Sequence, residues 1–120
     1  MITLYSGPLS LFTAKVRRAL AEKDIDYKRV EVSFGRDEGY EPKHPEVVRH
    51  NPKQQGPVLV IEDADSEPLV LWDSTLIVEN LDELQPEPHL FPADPAGRAR
   101  CRMVEHHADE VFFASVWTRI

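Results

Sequence analysis

Val58-Leu59-Val60-Ile61 constrains this chain more than any other stretch: four consecutive apolar residues, set between Gly56-Pro57 and the turn signal Asp63-Ala64-Asp65-Ser66. A run that short and that apolar reads as a buried strand. Leu69-Val70-Leu71 follows the turn and makes the second arm of a hairpin. The proline is informative as well, because a proline opening a central strand removes a ladder donor. Two arrangements fit it. A cis Gly56–Pro57 bond turns the backbone of Gly56 outward, where its N–H and C=O can pair with an extended peptide ligand. An ordinary trans proline at a strand start fits equally well.

The residues before the run alternate between strand and helix signals. Ile2 to Tyr5 is a short β-forming run closed by Ser6-Gly7-Pro8. From Leu11 to Lys23 the period becomes helical, with Phe12, Val16, Ala19, Leu20 and Lys23 at helical spacings and Ser10 at the N-cap position. Ile25 to Val32 alternates and reads as a second strand; Ser33 to His44 is a polar loop; Pro45 opens a short helix through Val47 and Val48, stopped at Asn51-Pro52. After the hairpin, Asp73-Ser74 caps a helix whose Leu76, Ile77, Leu81 and Leu84 share one face, ended by Pro86 and Pro88. The expected class is therefore α/β: a thioredoxin-like βαβ-α-ββα domain over residues 1–86. A proline-rich linker follows at 87–94, and at 95–120 a helix capped by Asp94-Pro95 begins an all-α domain. Its stripe is Cys101, Val104, Ala108, Val111 and Ser115. The helix shows no stop signal, and Phe112, Phe113, Trp117 and Ile120 need cover, so we expect a C-terminal partner segment, lost by truncation or supplied by another chain.

Charge and cysteine content narrow the function. A net charge of −7 argues against a nucleic-acid or anionic-membrane surface. Lys15, Arg17 and Arg18 read as the solvated side of the first helix. No stretch approaches the roughly 20 apolar residues that cross a bilayer. The N-terminus lacks the pattern of a signal peptide, and Cys101 stands alone, so the expected location is the cytoplasm.

Three segments can carry chemistry. Pro8-Leu9-Ser10 lies at the strand-to-helix turn, where a thioredoxin-like fold places a Cys-x-x-Cys pair. There is no cysteine before Cys101, which excludes disulfide exchange. Ser10 either caps its helix or also holds another molecule's thiolate, by a charge-assisted hydrogen bond in the field of the helix N-terminus. Gln55-Gly56-Pro57 is the second segment, with the backbone option described above. The third is Asp73-Ser74, which either is simply a cap or binds a zwitterion, the free N–H groups taking a carboxylate and Asp73 an ammonium. His106, Asp109 and Glu110 include an i,i+4 His/Glu pair, but a solvated or interface face is the simpler account, and no metal is expected.

In order and spacing, Leu4 through Ser10 with Lys15-Val16-Arg17, then Asn51-Pro52 through Leu59, then Asp73-Ser74 with Ile77 and Leu81, resemble the N-terminal domain of the glutathione S-transferase family. Phe91-Pro92-Ala93-Asp94-Pro95 resembles the family's interdomain linker. The resemblance implies that Ser10 is the catalytic serine that hydrogen-bonds the glutathione thiolate. It implies that Gly56 precedes the family's cis-proline, Pro57, and pairs with the cysteinyl unit through its backbone. It places Gln55 at the glycyl end, and Asp73 and Ser74 on the γ-glutamyl group. Gly56 replaces a more usual valine, and Phe12 stands where asparagine is often found. The implied function is activation of the glutathione thiolate, as co-substrate, for attack on a small electrophilic substrate by a homodimeric transferase. Weak or no turnover is expected from this length of chain, because half of the electrophile pocket lies in the rest of the helical domain. A glutathione-transferase-like module that acts through protein contacts is the alternative.

Overall fold

The computed structural model describes residues 1–117, and side chains through Ser115. The elements run β1 (Ile2–Ser6), α1 (Leu11–Glu22), β2 (Lys28–Glu31), α2 (Pro45–His50), β3 (Val58–Ile61), β4 (Leu69–Trp72), α3 (Ser74–Leu84) and α4 (Pro95–His106). A π-helical segment (His107–Phe112) and α5 (Phe113–Trp117) complete the described chain. One sheet holds all four strands in the order β2-β1-β3-β4. β1 and β2 are parallel, and β3 runs antiparallel to both β1 and β4. The α/β thioredoxin-like architecture expected from the sequence is the one observed.

The four apolar residues of β3 now have a physical reason. Successive side chains of a strand point to opposite faces, so Leu59 packs with Leu4 against Val16, Leu20, Ile77 and Leu81 of α1 and α3. Val58 and Val60 point the other way, onto Val47 of α2. Both faces are covered at Val58, Leu59 and Val60, which leaves no solvated side for a polar residue at those positions, while Ile61 at the strand end is partly exposed. Burying one such side chain stabilises the fold by about 1.5–3 kcal/mol.

Several expectations shift in detail. β2 is shorter than the alternation suggests, because the Ile25 N–H donates to Leu20 O and Ile25 packs on the core from the end of α1. In α3 the buried arc is Ile77, Val78 and Leu81, while Leu76 and Leu84 are exposed. The inward place in the last turn is taken by Asp82. That carboxylate faces Lys23, whose side chain is fully buried, at 2.9 Å. Lys23 Nζ also donates to Pro88 O at 2.8 Å and to Gln85 O, and Asp82 accepts from the Leu90 N–H at 2.9 Å. These bonds pin the segment after α3 to the end of α1. Burial opposes the Asp82 charge, but the Leu90 N–H, the Lys23 ammonium and Arg98 outweigh it and hold the carboxyl below its ordinary range.

The stripe expected on α4 is also displaced. Cys101 is half-buried against the core, yet Val104 is 71% exposed and Val111 lies open. The side of α4 and of the following π-helical turn that faces α1 is acidic instead. Glu105 and Asp109 reach Lys15 at 2.9 and 2.6 Å. Lys15 is therefore not on the solvated side of α1 with Arg17 and Arg18, but in a bridge between the two helical layers. The expected cover over Trp117 and Ile120 lies outside the described side chains.

Candidate functional site

β1 ends against the turn Gly7-Pro8-Leu9, and α1 begins at Leu11 with Ser10 as its cap. The sequence left a choice between capping and chemistry for Ser10, and the geometry removes the conflict. Ser10 Oγ accepts from the Thr13 N–H at 3.1 Å, which occupies a lone pair and leaves the hydroxyl proton free to donate. Ser10 lines a cleft of about 310 Å³ together with Phe12, Tyr40, Lys43, His44 and Phe113.

The Gly56–Pro57 bond is cis. Gly56 is exposed at the mouth of the cleft, while Pro57 is buried at the head of β3. A β-carbon built on Gly56 would meet only Tyr5 O, at 3.7 Å, so the glycine is not required by crowding. The preceding turn is held by buried Asn51, whose amide donates to Gln55 O at 2.6 Å and whose Oδ1 accepts from the Lys53 N–H at 2.9 Å.

Asp73 caps α3, accepting from the Thr75 N–H at 3.0 Å, with φ at +77°. A non-glycine residue in that region costs on the order of 1–3 kcal/mol, and such strain concentrates at functional sites. Asp73 and buried Ser74 line a second cleft of about 150 Å³, with Trp72, Thr75, Asp109 and Glu110. Phe12, Gln55 and Gly56 line both clefts. One groove thus passes Ser10, Gln55, Gly56, Asp73 and Ser74, which come from separate segments of the chain, and buried Pro57 lines its second cleft.

Other lining residues carried no clear signal in the sequence. His44 caps α2, its Nδ1 accepting from the Glu46 N–H at 3.1 Å, and its ring lies 5.2 Å from that of Tyr5. Phe12 meets Phe113 edge-on at 5.0 Å. Tyr40 Oη accepts from the Leu9 N–H at 3.2 Å. Only its position in a polar loop near Gly39 could have suggested Tyr40. Asp109 is paired with Lys15, and no group of metal-ligating side chains occurs among the described residues. No helix among them is long and apolar enough to cross a membrane.

A thioredoxin-like sheet without active-site cysteines, a serine at the β1–α1 turn and a strained Asp before a buried serine define the glutathione-transferase class of N-terminal domain. The family model for the glutathione S-transferase N-terminal domain matches residues 4–89, and the chain belongs to that family. It is 36% identical, over 97% of its length, to a stringent starvation protein A homolog of Coxiella burnetii, covering 50% of that protein. It is 37% identical to a maleylacetoacetate isomerase of Pseudomonas aeruginosa, over 84% of this chain and 45% of the enzyme. A solved glutathione S-transferase from Methylobacillus flagellatus with glutathione bound superimposes with a TM-score of 0.77. That structure is 36% identical, over 97% of this chain and 52% of its own. The chain spans about half the length of the curated relatives it matches.

Proposed function

We propose that this chain is the glutathione-binding part of an enzyme that activates the glutathione thiolate for attack on a small electrophile. The continuity of the groove from Ser10 past Gly56 to Ser74 carries this reading. In it, the Ser74 N–H and hydroxyl take the γ-glutamyl carboxylate, Asp73 takes its ammonium, and the Gly56 backbone pairs with the cysteinyl unit. Gln55 faces the glycyl end. Ser10 donates its free proton to the sulfur. The thiol proton passes to solvent, and the sulfur electron pair forms the new bond to the electrophilic carbon as that carbon's leaving group departs with its own bonding pair and takes a proton from solvent. The rate gain comes from a lowered thiol pKa and from orientation, with no covalent enzyme intermediate. Leu9, Leu11, Phe12 and Phe113 give the Ser10 end an apolar wall for the second substrate.

A glutathione titration followed by amide chemical shifts tests the reading. Saturable shifts at Ser10, Gly56 and Ser74 are expected, and a folded sample without them counts against it. The likeness to a stringent starvation protein, whose name states no reaction, supports a second reading as a partner-binding module. Ser10→Ala separates the two in the intact protein: an enzyme loses turnover while keeping its fold, and a binding module is indifferent. Homodimerisation belongs to the same proposal, since Leu76 of α3 and Met103 and Val104 of α4 are exposed apolar side chains that a second copy would cover. A clean monomer at micromolar concentration in light scattering would exclude it.

A further inference from the structure

We propose that Tyr40 is a second hydroxyl donor to the same sulfur that Ser10 faces, an inference that rests on the glutathione-binding reading above. Tyr40 comes from the loop between β2 and α2, far in sequence from the β1–α1 turn. The loop is closed on itself by a bridge in which the Gly35 N–H donates to Gly39 O at 2.7 Å and the Gly39 N–H to Gly35 O at 2.9 Å. Gly39 makes that turn at φ +62°, which side-chain-bearing residues rarely adopt. The Tyr40 ring packs edge-on against Phe34 at 4.8 Å. The hydroxyl is thus delivered by a braced loop.

Its destination is the turn that carries Ser10. A β-carbon built on Gly7 would lie 2.9 Å from Tyr40 Oη and 3.2 Å from Ser10 Cβ, so both side chains crowd the space that this glycine leaves open. Both line the larger cleft. The two hydroxyls also share one hydrogen-bonding state. Ser10 Oγ accepts from the Thr13 N–H and Tyr40 Oη from the Leu9 N–H, each through a lone pair. Neither hydroxyl proton has an acceptor among the described residues. An oxygen that accepts from a backbone N–H is polarised into a better donor. Two such donors on one side of a cleft, both fixed to the backbone, suit a large anion that can accept more than one bond. A thiolate is such an anion, and Tyr40 holds it in the charged form together with Ser10.

The test measures the pKa of the bound glutathione thiol, from its thiolate ultraviolet absorbance, and the glutathione Kd at a pH where the thiol is protonated. Tyr40→Phe should leave that Kd within about twofold and raise the thiol pKa by about one unit, a tenfold loss of thiolate at fixed pH. Fluorotyrosine at position 40, which keeps the ring and the bond from Leu9 but is a more acidic donor, should lower the thiol pKa below the wild-type value. If Tyr40 only latches the loop to the turn, both variants keep the wild-type thiol pKa, and the proposal is overturned. If Ser10→Ala raises the pKa and both Tyr40 variants leave it unchanged, this inference fails while the glutathione reading stands. Wild-type protein that binds no glutathione overturns both. Should Tyr40→Phe disturb the fold, seen in its amide spectrum, the fluorotyrosine protein decides.

Discussion

Asp82→Asn removes one charge and almost no volume from the interior, which isolates what the pair with Lys23 contributes. The Lys23 side chain is fully buried and its ammonium has three oxygen acceptors: Asp82 at 2.9 Å, Pro88 O at 2.8 Å and Gln85 O. Asparagine keeps an oxygen for Lys23 and for the Leu90 N–H, so the hydrogen-bond count need not fall. It leaves a buried cation with no counter-charge, a defect that costs about 3–5 kcal/mol when one partner of a buried pair is removed. We expect the lower end, about 3 kcal/mol, because the two carbonyls remain. In urea unfolding followed by circular dichroism, with a slope of roughly 1.5 kcal/mol per molar, the midpoint should fall by about 2 M. Lys23→Met in the Asp82→Asn background should cost less than the sum of the single changes, since it removes the stranded charge. A loss below about 1 kcal/mol for Asp82→Asn, the value of an exposed pair, would refute the claim that this bridge holds the segment after α3 in place.

The same carboxylate sets an acid dependence. Its folded pKa is depressed, so its contribution is complete above the unfolded value of about 4 and is lost as pH falls through the folded value. The stability gap between wild type and Asp82→Asn, measured by urea midpoints across that range, should therefore close on acidification; a constant gap would contradict the assignment. Ser10→Ala should cost about 1 kcal/mol of thermal stability through loss of the cap to Thr13, readable by calorimetry. Gly56→Ala should be tolerated or stabilise by about 0.4–1 kcal/mol, because the added β-carbon meets nothing closer than 3.7 Å and the unfolded chain loses freedom. Gly39→Ala should cost on the order of 1–2 kcal/mol, because φ is +62° there, and urea midpoints for the two variants should move in opposite directions.

The elements were legible in the sequence because their signals are local. Pro45 and Asp94-Pro95 mark helix starts wherever they stand, and four apolar residues between turn signals give β3 its place. Motif order then fixed the architecture and singled out Ser10, Gly56 and Ser74. Faces were less legible. Leu76 and Val104 sit at helical spacings yet are exposed, since spacing names a stripe but not which neighbour it meets. Lys15 belongs to an apparently solvated run, and the partners that draw it inward, Glu105 and Asp109, lie some ninety residues away.

The chain by itself determined that a two-sided strand sits at the centre of a thioredoxin-like sheet and that no thiol of its own serves the β1–α1 turn. Local capping, turn and periodicity rules act within a few residues and so are written in the sequence. Only the tertiary structure decided that the Gly56–Pro57 bond is cis, that Lys23 is buried on Asp82, and that Tyr40 reaches the turn bearing Ser10. Each of these depends on groups brought together by the sheet order and the loop geometry, whose separation in sequence carries no information about their distance in space.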